Sequence, residues 1–152
     1  MNNLKLILIC FLITTYSFAG VSPEEKEALV ALYNATNGDN WNTTWNINGT
    51  VDSWHGVKVE SDKVTEINLQ FNNLEGQLPE EVGNLVHLKN LNLGFNKLSG
   101  NLPSSIKKLK DLRALELFMN RFEGQIPSGL GELKQLESLK LYSNQFTGEI
   151  PQ

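Results

Sequence analysis

The sequence predicts an α/β solenoid: a right-handed superhelix of stacked coils with a concave parallel β-sheet and an N-terminal cap made of a helix and a hairpin. Two observations predict this fold. Columns of apolar residues, Asn, Gly and Pro recur every 24 residues from residue 64 onward, and a helix start with a Trp-rich segment precedes the first unit. A fixed period of this length is typical of chains in which each unit buries its apolar face against the next.

Residues 1–20 predict a cleaved export signal. They contain a single basic residue, Lys5, followed by an apolar run from Leu6 to Ile13, and they end in small residues around Ala19. A membrane-spanning helix needs roughly 20 apolar residues, and this run is much shorter. We therefore expect an exported mature chain with no segment that inserts directly into a membrane.

The mature chain is acidic and contains no cysteine. Loss of Lys5 with the signal changes the formal net charge from −4 to −5, and loss of Cys10 removes the one cysteine of the sequence. Nucleic acids and anionic membranes are bound through clustered Lys and Arg, so neither is expected as a partner. Without disulfides, an exported domain of this size has to be stabilised by its apolar core.

Residues 21–63 predict the cap. Ser22, followed by Pro23 and by Glu25 three residues after the serine, is typical of a helix start, and the predicted helix spans 22–34. One apolar face of this helix would cover the edge of the first coil. A loop rich in Asn, Thr and Gly comes next, and a hairpin then leads into the first repeat strand. Three tryptophans anchor the loop: Trp41, Trp45 and Trp54.

Residues 64–152 form the repeats, which we divide into units 64–87, 88–111, 112–135 and a partial unit 136–152. Leu91 and Leu93 alternate as in a strand with one buried face. The Asn after each strand can bond backbone groups that the turn leaves unpaired, and apolar residues spaced three apart beyond the Pro indicate a short outer helical turn. The recurring polar and turn residues are Asn72, Asn96, Asn120 and Asn144, Gly76, Gly100, Gly124 and Gly148, and Pro79, Pro103, Pro127 and Pro151.

The motif Leu-x-Gly-x-Ile/Leu-Pro, repeated through residues 64–152, resembles the plant-type leucine-rich repeat. This family includes ectodomains of plant receptor kinases, inhibitors of cell-wall polysaccharide hydrolases and many secreted bacterial proteins. The resemblance implies a fold that presents a binding surface, and it does not identify the ligand.

The cap also resembles the segment that precedes plant-type repeats. In the plant receptors this segment is normally flanked by a cysteine pair, whereas this chain has Asp52, Ser53 and Val59 at the flanking positions. Together with the run from Leu32 to Trp41, this makes the cap closest in appearance to the secreted bacterial members.

The mature sequence lacks the patterns typical of catalytic, metal and cofactor sites. It has no cysteine nucleophile, and its two histidines, His55 and His87, are 32 residues apart and have no triad setting. Metal-ligand spacing, phosphate loops and nucleophile elbows are absent as well. We therefore expect a non-enzymatic protein without a metal or a cofactor.

Strand positions that point out of the concave sheet, and the aromatic residues after the strands, are the expected binding surface. Rings beside amides and carboxylates suit a peptide or a glycan. The expected partner is therefore a protein or a polysaccharide met outside the cytoplasm or at the cell surface. The predicted ligand-binding residues are Asn68, Phe71, Asn92, Phe95, Glu116, Phe118, Lys140 and Tyr142.

Three Asn-x-Thr sequons, which begin at Asn34, Asn42 and Asn48, lie in the cap. Such sequences are acceptors for N-glycosylation in exported eukaryotic proteins, whereas in a bacterium they would mean little. The sequence leaves open whether any of them is used.

Two other roles also stay open: the ectodomain of a membrane receptor, with or without a kinase, and the targeting module of an extracellular hydrolase. The sequence ends at Gln152, directly after Ile150 and Pro151 and before an outer turn. This leaves four apolar side chains without a neighbouring coil, and burial of each would contribute roughly 1.5–3 kcal/mol. They are Leu139, Leu141, Phe146 and Ile150. We expect either a longer natural chain or edge-to-edge association through this partial unit.

Overall fold

The computed structural model describes residues 20–151, so the predicted export signal lies outside the described residues except for Gly20. Within that range the chain forms one α-helix, nine short strands and five 3₁₀ turns. The helix α1 spans Pro23–Ala35, and the strands are β1 (Val57–Glu60), β2 (Lys63–Asn68), β3 (Glu75–Gln77), β4 (Asn90–Asn92), β5 (Lys97–Gly100), β6 (Ala114–Glu116), β7 (Arg121–Gln125), β8 (Ser138–Lys140) and β9 (Gln145–Thr147). The 3₁₀ turns are Gly38–Asn40, Val51–Ser53, Glu80–Asn84, Ser104–Lys108 and Ser128–Glu132.

Each coil contributes one strand to each of two sheets. The concave sheet has the order β1-β2-β4-β6-β8, in which β1 is antiparallel to β2 and the other pairs are parallel. The second sheet, which we call the flank sheet, has the order β3-β5-β7-β9 with parallel pairing. Ile67, Leu91 and Leu115 pair in register through the concave sheet, as the 24-residue period requires. The predicted solenoid is confirmed.

The core is a continuous stack of apolar side chains between the two sheets and the outer turns. Leu91, Leu93 and Leu98 of a single coil are fully buried, as are Val82 and other apolar residues of the outer turns. Each coil therefore depends on its neighbours for burial. In the last described coil, the core residues are half-buried and Ile150 is exposed.

The cap closes the N-terminal end of this core. Helix α1 starts where the sequence predicts, because the Ser22 hydroxyl accepts a hydrogen bond from the Glu25 amide at 3.3 Å. The Glu25 carboxylate also accepts from the backbone N–H of Val64 at 3.1 Å, so the capping residue joins the helix to the strand β2. Leu29 and Leu32 are fully buried against the first coil. None of the helices that the structure describes has the length and apolar character that a membrane crossing requires.

The recurring asparagines link consecutive coils, and we call them the Asn ladder: Asn72, Asn96, Asn120 and Asn144. The Asn96 amide donates to the carbonyls of Leu69 and Leu93, both at 2.9 Å, and its carbonyl oxygen accepts from the amide of Leu74 at 3.0 Å. The first rung continues into the cap, because Asn72 accepts from the amide of Thr43 at 2.7 Å and donates back to its carbonyl at 3.1 Å. The cap thus bonds to the first repeat much as a preceding coil would.

The outer turns are also joined from coil to coil. The carboxylate of Glu80, at the start of its own outer turn, accepts from the amides of Ser104 at 3.0 Å and Ser105 at 2.9 Å, which begin the next turn. Burial alone would raise the pKa of Glu80, but these hydrogen bonds outweigh it and lower the pKa below its ordinary value of 4.5. Glu80 is therefore an ionised cap for the neighbouring turn.

We expect Glu80→Gln to lower the free energy of unfolding at pH 7 by about 0.5 kcal/mol, a small effect because the side chain is exposed to solvent. Since the folded-state pKa is the lower one, ionised Glu80 stabilises the fold above pH 4.5, and this contribution is lost as pH falls through the folded-state pKa. Urea unfolding of wild type and variant at pH 7 and pH 3 measures the difference. The exposed neighbour Glu81→Gln is the control, and an equal loss in both variants would contradict the capping role.

Candidate functional site

Four of the predicted ligand-binding residues form one continuous aromatic row. Phe71 stacks on Phe95 with ring centroids 4.0 Å apart, and Phe95 meets Phe118 edge to face at 5.2 Å. Phe118 in turn stacks on Tyr142 at 5.1 Å. We call these four residues the aromatic row; it crosses all four repeats where the strands of the concave sheet end.

The row changes position within the repeat between its second and third rings. Phe71 and Phe95 occupy one position, where both have left-handed backbone with φ near 55° (56° and 53°). Phe118 and Tyr142 occupy the position before it. Gly94 explains the change, because a Cβ atom at Gly94 would overlap the ring of Phe118. The missing side chain lets Phe118 lean over the preceding coil and reach Phe95.

Exposure divides the four rings into two roles. Phe71 is 59% exposed and Tyr142 is 58% exposed, whereas Phe95 is half-buried and Phe118 is only 6% exposed. Phe118, although predicted as a ligand-binding residue, is therefore buried and packs between Phe95 and Tyr142. Met119, 42% exposed, is a surface residue that the predicted set omitted. Met119 lies at the same repeat position as Phe71 and Phe95, so the 24-residue alignment was sufficient to identify it as a surface residue.

The predicted polar partners Asn68 and Asn92 have local roles. The side-chain carbonyl of Asn68 accepts from the amide of Gln70 at 3.3 Å, and that of Asn92 accepts from the amide of Gly94 at 3.0 Å. The Asn92 amide also donates to the side chain of Gln70 at 3.0 Å. These two residues shape the strand ends on which the aromatic row is built.

The other two predicted polar partners, Glu116 and Lys140, bind each other. Their charged groups are 2.7 Å apart, and the Lys140 ammonium lies 6.0 Å from the centre of the Phe118 ring. The hydrogen bond from Lys140 to Glu116, with the attraction between their charges, raises the pKa of the ammonium. The pair therefore presents little net charge beside the row.

A cavity of about 400 Å³ lies where the cap meets the flank side of the row. The cap contributes Asn42, whose side-chain amide donates to the carbonyl of Phe71 at 2.8 Å. Exposed ring edges and amides thus line one open recess. Its lining residues are Asn42, Phe71, Asn73, Phe95, Asn96, Lys97 and Met119.

Stacking limits how much ring face the row offers to a ligand. It covers one face of each ring in the pairs Phe71–Phe95 and Phe118–Tyr142, and the most exposed rings of the row are those of Phe71 and Tyr142. Apolar side chains of a peptide pack against rings at many angles, whereas a sugar binds best with its C–H face laid on an open ring face. Within residues 20–151, no cluster of His, Cys, Asp and Glu suits a metal ion.

The leucine-rich repeat family matches residues 63–85, 87–109 and 135–152. A curated relative from Arabidopsis thaliana, named a "probable inactive receptor kinase", is 44% identical over 69 residues. That similarity covers 44% of this chain and 10% of the relative.

Solved structures of plant receptors are similar as well. The leucine-rich-repeat ectodomain of the Arabidopsis thaliana membrane receptor kinase GASSHO1/SCHENGEN3, in complex with CASPARIAN STRIP INTEGRITY FACTOR 2, has a TM-score of 0.77 and 31% identity over 83% of this chain and 16% of that one. The plant peptide hormone receptor RGFR1, in complex with RGF2, has a TM-score of 0.55 and 36% identity over 65% of this chain and 19% of that one. The chain thus spans less than a fifth of each of these proteins.

Proposed function

Because this chain is a leucine-rich-repeat protein of the plant type, we propose that it is a non-catalytic binding module that recognises an extended segment of a peptide or protein. The segment lies along the aromatic row and the adjoining concave sheet. One observation carries this proposal: a continuous row of four rings in contact, in which Phe71 and Tyr142 are exposed to solvent and Phe95 is half-buried. Lys140 and Glu116 border the row as a neutral pair, so apolar contact rather than charge provides the affinity.

The comparisons support a peptide or protein as the ligand. GASSHO1/SCHENGEN3 and RGFR1 are both described as complexes, the second as a peptide hormone receptor. The similar ectodomains belong to membrane receptors, which supports a place outside the cell or at its surface. Secretion as a free module is part of our proposal, as is the absence of catalysis, which is consistent with a relative named as an inactive kinase.

The other roles predicted from the sequence have less support. Polysaccharide binding, alone or as the targeting module of a hydrolase, requires open ring faces, which this row offers mainly at its two ends. Edge-to-edge association through the last coil finds no support among the similar proteins and stays a prediction. A receptor ectodomain would use the same row and is compatible with the proposal.

A display selection followed by titration tests the proposed function. A phage-displayed peptide library is selected on the immobilised mature chain, and the best peptide is titrated against Phe71→Ala and Tyr142→Ala. Both rings are exposed, so truncation should leave the fold intact while raising Kd about tenfold or more, as expected for interface residues that contribute over about 1.4 kcal/mol. The control is Val86→Ala, an exposed apolar residue next to the outer turn.

Three outcomes would contradict the proposal. The selected peptides could bind both row variants as tightly as wild type, or Val86→Ala could weaken binding as much as they do. In a parallel assay, an array of cell-wall oligosaccharides could bind the chain while the peptide library yields no binder. The last result would favour the polysaccharide role instead.

A further inference from the structure

Two basic residues border the recess on the flank side of the aromatic row. Lys97 lines the recess, and the other lining residues are uncharged. Arg121 stands at the same repeat position in the next coil, and parallel pairing of β5 with β7 holds these strands about 4.8 Å apart. Both residues are exposed. The rim of the recess is therefore basic in a chain that has 17 acidic and 13 basic residues.

Neither of these cations is neutralised by a close carboxylate. Glu75 is the register partner of Lys97 on β3, and Glu123 follows Arg121 by two positions on β7. In the described part of the chain, however, no carboxylate lies within 4.0 Å of either cationic group. By contrast, the charged pair on the concave side of the row is 2.7 Å apart. Positive charge is thus available to a ligand on the flank side.

The recess also offers hydrogen-bond acceptors that are held in one orientation. The side-chain amide of Asn42 donates to the carbonyl of Phe71 at 2.8 Å. Asn73, which also lines the recess, donates its side-chain amide to the carbonyl of Asn40 at 2.8 Å. Neither side-chain oxygen has a hydrogen-bond partner among the described residues. An extended peptide has backbone N–H groups that such oxygens accept.

We propose that this part of the site selects acidic segments: the peptide bound by the aromatic row carries an Asp or Glu within about two residues of a large apolar residue. Its carboxylate binds the cationic groups of Lys97 and Arg121, and the apolar side chain packs in the recess against Phe71 and Met119. The open side-chain oxygens of the recess accept backbone N–H groups of the segment. This inference rests on the proposed function, because it names the chemistry of the segment that the row binds.

Apolar contact and charge have different effects on such a ligand. The exposed rings provide most of the affinity, because a carboxylate at an exposed site keeps much of its hydration and gains only modestly from each cation. The cations instead decide which segments bind. A segment with a basic residue at the same place meets two like charges and is disfavoured.

The test combines two forms of the protein with two forms of a peptide. A phage-displayed random library is selected on the mature chain at low salt. The best binder is synthesised together with an analogue in which Asn and Gln replace Asp and Glu. Each peptide is titrated against wild type and against the double variant Lys97→Gln/Arg121→Gln.

We expect the selected peptides to be enriched in acidic residues beside large apolar ones. The double variant should raise the Kd of the acidic peptide about fivefold and that of the neutral analogue less than about twofold, because only the acidic peptide loses ion pairs. Raising the salt concentration should remove most of this difference. Urea unfolding of the double variant should match wild type, since both replaced residues are exposed.

The matched control is Lys108→Gln/Lys134→Gln, which changes the net charge by the same amount. Both lysines are exposed, neither lines the recess, and neither has an ion pair among the described residues. Lys108 ends an outer turn, and Lys134 lies two residues beyond the next one. This control should leave the Kd of the acidic peptide within about twofold of wild type.

Three results would overturn the inference: no enrichment of acidic residues, an equal loss for the acidic peptide and its neutral analogue, or an equal loss in the control. Phe71→Ala then separates this failure from failure of the proposed function. If Phe71→Ala still weakens binding, the row binds peptide without selecting acids. If Phe71→Ala has no effect, or if no peptide is selected at all, both proposals fail.

Discussion

Asn96→Ala is expected to lower the free energy of unfolding by about 3 kcal/mol. Its side chain bonds backbone groups of three segments at once, and alanine would leave three of these half-buried groups unpaired, each at a cost of about 1–3 kcal/mol. Equilibrium unfolding in urea, extrapolated linearly to water, measures the loss. The groups left unpaired are the amides of Asn72 and Leu74 and the carbonyl of Leu69, whereas the carbonyls of Leu93 and Gly94 each keep a second hydrogen bond.

Asn90→Ala is the control for this ladder prediction. Asn90 lies on the concave strand β4 of the same coil, is half-buried, and has no side-chain hydrogen bond among the described residues. Its replacement should change the free energy of unfolding by less than about 0.5 kcal/mol. Similar losses in both variants would mean that the ladder does not couple the coils.

Gly76→Ala should destabilise the protein by about 2–4 kcal/mol, because the site combines backbone strain with an overlap. Gly76 has a φ of +133°, a conformation that residues with a Cβ rarely adopt, and a Cβ there would collide with the carbonyl oxygen of Ala35 at the end of α1. The cap would have to move away from the first coil. Thermal and urea unfolding measure the loss of stability.

Gly148→Ala separates the strain from the overlap. Gly148 stands at the equivalent position of the last coil and also has positive φ, at +79°, but the nearest atom to an added Cβ is 3.6 Å away on Gln125. We expect a cost of about 1 kcal/mol from backbone strain. If Gly148→Ala is as harmful as Gly76→Ala, close contact between cap and repeat is not the cause.

Much of the fold follows from periodicity. Apolar residues such as Leu91 and Leu93, spaced two apart within each 24-residue unit, predict both the strand and its buried face. Ser22 and Glu25 predict the start of α1 because capping is a local interaction. The flank sheet is harder to predict from the sequence. Its strands β3 and β9 have only three residues each, with one half-buried residue between two exposed ones.

From the sequence, the candidate site could be predicted only as a set of residue positions, without the contacts between their side chains. The columns predict that the rings of Phe71 and Tyr142 reach the surface, and both do. They do not predict that Phe118 is buried, because its burial depends on the missing side chain of Gly94 in the preceding coil. Likewise, the pairing of Glu116 with Lys140 depends on how side chains of neighbouring coils are oriented, and the aligned residue types of one repeat position do not predict that orientation.

The concave sheet ends at β1, a strand antiparallel to its neighbour, and this edge affects how copies of the protein could associate. It is the edge strand of the concave sheet, it has only four residues, and its pairing with β2 is interrupted by an irregularity between Lys58 and Val59. Short and irregular edge strands are poor templates for pairing with another chain. A concave strand of a second copy is therefore not expected to add at this edge, which disfavours head-to-tail stacking of molecules into filaments.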